Sequence, residues 1–142
     1  MKNGFRTLVP ALILVLGASA SAWAAEQTKD LEATPQGKTY REQEKAVKAG
    51  DYAAYKKTMT KASQAMMDKQ TKEMNMDPKK AMEFMKAMLP TDLKLTSLSV
   101  DKNKATMMAT GKVAGEANKG TIDFEQEDGQ WKIVKQSWTN AK

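Results

Sequence analysis

Gly120-Thr-Ile-Asp-Phe-Glu-Gln-Glu-Asp-Gly-Gln-Trp-Lys-Ile-Val-Lys-Gln-Ser-Trp138 reads as a β-hairpin. Asp128-Gly129 separates two alternating segments, and this dipeptide suits the two left-handed positions of a type I′ turn, whose twist matches that of paired strands. A two-residue loop then sets the register: Glu127 opposite Gln130, Gln126 opposite Trp131, Glu125 opposite Lys132 and Phe124 opposite Ile133. One face carries Ile122, Phe124, Trp131 and Ile133. The other carries Asp123, Glu125, Lys132 and Gln136, together with Val134 and Trp138. Two apolar residues on a charged face leave an exposed patch, which marks Val134 and Trp138 either as a homodimer contact or as the seat of a covering segment.

Upstream of the hairpin the pattern stays alternating as far back as Pro90. Ala105, Met107, Ala109, Gly111 and Val113 share one face of a strand, and Asp101-Lys-Asn-Lys104 turns the chain before it. Leu93 and Leu95 sit on one parity and Leu98 and Val100 on the other, which places a bulge near Ser97. Gly115 to Gly120 reads as a longer loop.

Before Pro90 the period is helical. A first helix runs from Lys38 or Thr39 to Ala49, with Tyr40 and Val47 two turns apart. Gly50 stops it and Asp51 caps the next. In that second helix Tyr52, Tyr55, Met59, Ala62 and Met66 form one stripe, expected to pack on the Phe124 and Trp131 face of the hairpin. Asp77-Pro78 starts a third helix, with Ala81, Met82, Met85, Met88 and Leu89 on one side. The fold class is therefore α+β: two to three helices packed in a strongly bent antiparallel sheet of about four strands.

The first 25 residues have the three parts of a secretory signal peptide. Lys2 and Arg6 are basic, Leu8 to Leu16 is apolar, and Ala22-Trp23-Ala24 offers small residues for cleavage before Ala25 or Glu26. The apolar run is shorter than the roughly 20 residues that span a bilayer. Residues 26–37, with Pro35 and Gly37, read as a flexible leader, and residues 38–142 as one domain. The expected location is periplasmic or secreted, without stable membrane insertion. The chain has no Cys, so a lipoprotein anchor is excluded.

The lack of Cys and His also removes most hydrolytic triads and zinc sites. Without Lys2 and Arg6 the net charge falls from +6 to +4, dispersed among acids, which does not suit nucleic acid. Methionine is the anomaly: eight of the 11 lie between residues 59 and 88. Thioethers favour Cu(I), and Met82, Met85 and Met88 would be the ligands of such a site. Methionine is also an adaptable filler of cores and pockets, and that reading, with no cofactor, is preferred. For acid–base chemistry only Tyr40, Tyr52, Tyr55 and Asp92 are candidates, since the register puts Asp123 on the polar face.

Three stretches together carry a family resemblance. They are Ala46-Val-Lys-Ala-Gly-Asp-Tyr52 joining two amphipathic helices, the third helix ending at Pro90, and Phe124-Glu-Gln-Glu-Asp-Gly-Gln-Trp-Lys-Ile-Val134. Over about residues 38 to 138 the chain resembles the nuclear transport factor 2-like superfamily (SnoaL-like and cystatin-like α+β domains), and within it small exported bacterial domains of unknown function. The resemblance implies a cone of helices held in a bent antiparallel sheet, a pocket between them, and often a dimer across the outer sheet face. Ketosteroid isomerase and polyketide cyclase-like members are enzymes, but none of their catalytic motifs is matched here.

The function expected from all this is non-catalytic binding of a small apolar or amphipathic ligand, or of a protein partner. The lining residues would be Tyr52, Tyr55, Met59, Met85, Met88, Phe124 and Trp131. Periplasmic Cu(I) binding and a pocket enzyme of the isomerase or cyclase type are the alternatives.

Overall fold

The structure is a computed structural model, and it describes residues 30–142. The segment read as a signal peptide and the first residues of the expected leader lie outside the described residues. The rest of the leader corrects the reading from sequence, because residues 31 to 37 belong to the fold. A short 3-10 helix, Leu31–Ala33, leads into α1 (Pro35–Ala49), whose N-cap Thr34 accepts a hydrogen bond from the Gly37 N–H. Leu31, Gln36 and Gly37 are buried. Pro35, read as a breaker, occupies the first helical position, where its missing N–H is not needed.

Gly50 in the left-handed conformation (φ 68°) ends α1, and Asp51 caps α2 (Tyr52–Lys57) by accepting from the Ala54 N–H. The long second helix read from the sequence is two helices. Thr58-Met59-Thr60 leaves helical geometry, and Thr60 caps α3 (Lys61–Glu73). The break satisfies the edge of the sheet: the Ile133 N–H donates to the Thr58 carbonyl (2.8 Å) and the Thr60 N–H donates to the Ile133 carbonyl (3.1 Å). The phase of the helix slips there, so Ser63 is buried while Met66 is exposed. Asp77 then caps α4 (Pro78–Ala87) as the sequence implies.

Four antiparallel strands follow in the order β1 (Thr91–Asp101), β2 (Lys104–Val113), β3 (Glu116–Glu127) and β4 (Gln130–Asn140). The sheet is curled and unclosed around the helices, the α+β architecture that the nuclear transport factor 2-like resemblance implies. The hairpin register is as read, from Glu127 opposite Gln130 to Phe124 opposite Ile133, with Asp128 (φ 53°) and Gly129 (φ 75°) in the turn. The β1 bulge is present too, with Thr96 the extra residue between the Leu95 and Ser97 pairs. The expected loop at 115–120 is not a loop. β2 and β3 join through a tight Ala114-Gly115 turn, and Glu116 to Gly120 is strand.

A bulge not read from the sequence falls in β4. Phe124 pairs with Ile133 but Asp123 pairs with Lys135, so Val134 is extra. Beyond it every side chain changes face. Gln136 then lies opposite Ile122 and Trp138 opposite Gly120, both on the buried side. The assignment of Trp138 to an outer dimer face is thereby corrected. Its ring packs over Gly120 and against the core. Val134 lies at the strand edge, where its carbonyl accepts from Ser63 Oγ at 2.7 Å.

The core forms in two parts. Phe124, Met107, Ile122 and Ile133 are fully buried with Tyr40 of α1, and Ala46, Val47, Tyr55 and Met82 pack between the helices. Each large apolar side chain so buried stabilises the fold by about 1.5–3 kcal/mol. The hairpin face is thus covered by α1 through Tyr40, and not by the stripe of Tyr52 and Tyr55 as expected.

Candidate functional site

The cone opens between the helices and β4 as two hollows that meet along a shared wall of Gln43, Tyr55, Phe84, Met85 and Gln136. The inner hollow, about 180 Å³, is also lined by Tyr40, Val47, Met88, Leu89 and Trp138. The outer one, about 560 Å³, is walled by Met59, Met66 and Met67 from one side and by Met74 and Met76 further along, with Val134 and Lys135 at the strand edge. Five helical and strand segments therefore converge on a surface rich in thioethers and aromatic rings.

Four hydrogen bonds join polar groups at this cleft into one chain. Trp138 Nε1 donates to Gln136 Oε1 (3.4 Å), Gln136 Nε2 to Gln43 Oε1 (2.7 Å), Gln43 Nε2 to Thr58 Oγ1 (3.0 Å), and Thr58 Oγ1 to the Tyr55 carbonyl (2.7 Å). Gln43 is 2% exposed, so these bonds are what permit its burial. Both amides are thereby oriented, and Gln136 can take part only because the bulge turns it inward.

Tyr40 and Tyr55 differ from these. Neither phenol hydroxyl has a protein partner among the described residues, and no buried polar atom is left wholly enclosed without one. Both residues are buried, Tyr40 at 2% and Tyr55 at 8% exposure, and both line the inner hollow. Burial pushes both phenols above their ordinary pKa; the negative charge of Glu44 adds to this at Tyr40, and Tyr52 adds to it at Tyr55. Both remain protonated at neutral pH and can donate a hydrogen bond.

Glu44 and Lys135 are the charged side chains on these walls. Burial, the largest single influence on Glu44, favours its neutral form, but hydrogen bonds from Lys48 and Arg41 together outweigh it and hold the carboxyl below its usual range. It stays a neutralised carboxylate. Lys135 lies 3.8 Å from Asp123 on the outer face.

The structure brings Tyr55, Met59, Met85 and Met88 of the expected lining to the cleft. Three others lie elsewhere. Phe124 is sealed in the core at 1% exposure. Trp131 faces a wide groove on the opposite side of α1, lined by Lys38, Lys45, Lys57 and Lys132, where its carbonyl accepts from Thr39 Oγ1. Tyr52 is at the surface, donating to Asp68 (3.2 Å) with Lys56 over its ring. Asp92 pairs with Lys112 (3.1 Å) at the sheet edge, so it cannot act with Tyr55. The three methionines read as copper ligands are divided: Met82 is buried between α1 and α4, whereas Met85 and Met88 face the inner hollow. Reading by sequence missed Tyr40 as a lining residue, together with Gln43, Gln136 and Trp138.

Among the described residues no cluster of acidic side chains could hold a metal ion, and no helix is long and apolar enough to cross a membrane. No protein-family model and no curated protein matches the chain. Its structure is similar to that of a nuclear transport factor 2-like (NTF-2-like) protein of unknown function from Shewanella oneidensis MR-1. The TM-score is 0.46 at 17% identity, over 72% of this chain and 94% of that one.

Proposed function

We propose that this chain is an exported, non-catalytic binding domain whose methionine-lined cleft takes an apolar or amphipathic ligand. The observation that carries this reading is the outer hollow. Its roughly 560 Å³ lies within the range of ligand sites, and its walls are flexible thioethers beside the ordered amides of Gln43 and Gln136 and the phenol of Tyr55. Acid–base chemistry has less support, because the cleft offers a neutralised Glu44 and lacks Asp92.

The test uses the neutral fluorescent probe N-phenylnaphthylamine. It should bind the mature protein, and Met85→Asp should weaken binding at least about tenfold, since a charge would then have to be desolvated. An unbound probe, or equal binding by the variant, sinks the reading. Export is tested separately: N-terminal sequencing of protein from outside the cytoplasm should begin at Ala25 or Glu26.

A further inference from the structure

We infer that the natural occupant of the outer hollow is an extended apolar polypeptide segment, added as a strand to the open edge of β4. The inference rests on the binding role proposed above and names its partner class. β4 is the last strand of the sheet, and its outer edge is already used once. Thr58-Met59-Thr60 runs parallel to it and forms a single rung on both sides of Ile133. That short strand stops because Thr60 turns to cap α3.

One residue further on, the Val134 carbonyl is taken by Ser63 Oγ. Beyond Val134 the outer edge bonds to no other backbone among the described residues. Its register against β3 is regular from Lys135 to Asn140. The opposite edge of the sheet differs: β1 carries two bulges, which is how native edges are commonly blocked.

The open edge and the methionines face the same space. Val134 to Gln136 form one side of the outer hollow, and Met66 and Met67 of α3, Met74 at its C-cap and Met85 of α4 form the other. A paired strand lies about 4.8 Å from its neighbour and alternates its side chains between two faces. Backbone donors and acceptors would be met by the β4 edge, and every second side chain by thioethers that adapt to different shapes. A compact apolar molecule would fill the thioether wall but leave the edge groups unmet. Recognition of this kind reads an extended apolar pattern and not a particular sequence.

The experiment is a titration of the mature protein with a short labelled peptide of alternating leucine and threonine, and with versions N-methylated at one amide each. Strand addition predicts a period of two: methylation at alternate amides should weaken binding at least about tenfold, and at the intervening amides should leave it unchanged. Amide exchange in Lys135 to Asn140 should slow with the peptide and not with N-phenylnaphthylamine. Binding insensitive to methylation at every position, or probe binding without peptide binding, overturns the inference and leaves the cleft a small-molecule site. If neither is bound, the proposed function falls with it.

Discussion

Gly120 leaves its place over the sheet to Trp138. A Cβ there would lie 2.7–2.8 Å from the indole ring, closer than packed atoms approach, so the half-buried ring would have to shift off the core. Gly120→Ala should therefore destabilise by about 1–3 kcal/mol, the usual range for overpacking. Urea unfolding followed by tryptophan fluorescence checks this. An unchanged midpoint would mean that Trp138 is not seated as described. The methionines make a second prediction at this scale. Met66 (64% exposed) and Met74 (68%) stand at the mouth of the cleft, whereas Met82 (3%) and Met107 (0%) are enclosed. Limited peroxide should convert the first pair to sulfoxides well before the second, as read by peptide mass mapping. A third concerns Arg41, which donates to Glu32 (2.8 Å) and Glu44 (2.7 Å) and so ties the first turn to α1. Its hydrogen bonds lead the lowering of the Glu32 pKa, and at Glu44 they act with Lys48 against burial. A carboxyl lowered by folding contributes stability that is complete above its unfolded pKa and is lost as pH falls through the folded value. Acidification below about pH 4.5 should thus lower the melting temperature of the wild type more than that of Arg41→Met.

The secondary-structure elements show why some of this was legible in the sequence. The hairpin register could be read because Asp128-Gly129 admits one turn geometry, and the register follows from it. The β1 bulge could be read because Leu93 and Leu95 change parity with Leu98 and Val100. The same signal stands in β4, where Trp131 and Ile133 give way to Val134 and Trp138. There it was read as an exposed patch, because alternation alone does not distinguish a surface apolar pair from a bulge. Half of the cleft's polar chain depends on that difference. Deleting Val134 should restore the simple alternation and turn Gln136 and Trp138 outward. The expected result is a red-shifted tryptophan spectrum and loss of N-phenylnaphthylamine binding. The break at Thr58 to Thr60 has one weak local signal, Thr60 as a capping residue, which the helical stripe obscures. The stripe from Tyr52 to Met66 is continuous in helical period, and what interrupts it is a pair of backbone hydrogen bonds to Ile133, far away in the chain. Thr60→Ala, which removes the α3 cap, should destabilise by about 0.5–2 kcal/mol in thermal or urea unfolding.

At the scale of the whole molecule, fold class and element order followed from periodicity, whereas the site did not. Tyr55, Met59, Met85 and Met88 were found because an apolar helix face must meet something. Phe124 and Trp131 were misplaced because the sequence does not say which helix covers which end of a sheet, and α1 covers this one. The reach of the Gln43 to Gln136 hydrogen bond carries a further consequence. Its two residues are 93 positions apart, and Thr58 and Thr60 likewise wait for Ile133. A chain made from its N-terminus has α1 to α4 before β4 exists, so their methionine faces must stay uncovered until β4 has been made. Closure is therefore a late, long-range step in folding, slow by its topology. A chain ending at Glu127 should show no cooperative unfolding transition by circular dichroism, although α1 to α4 are present in it.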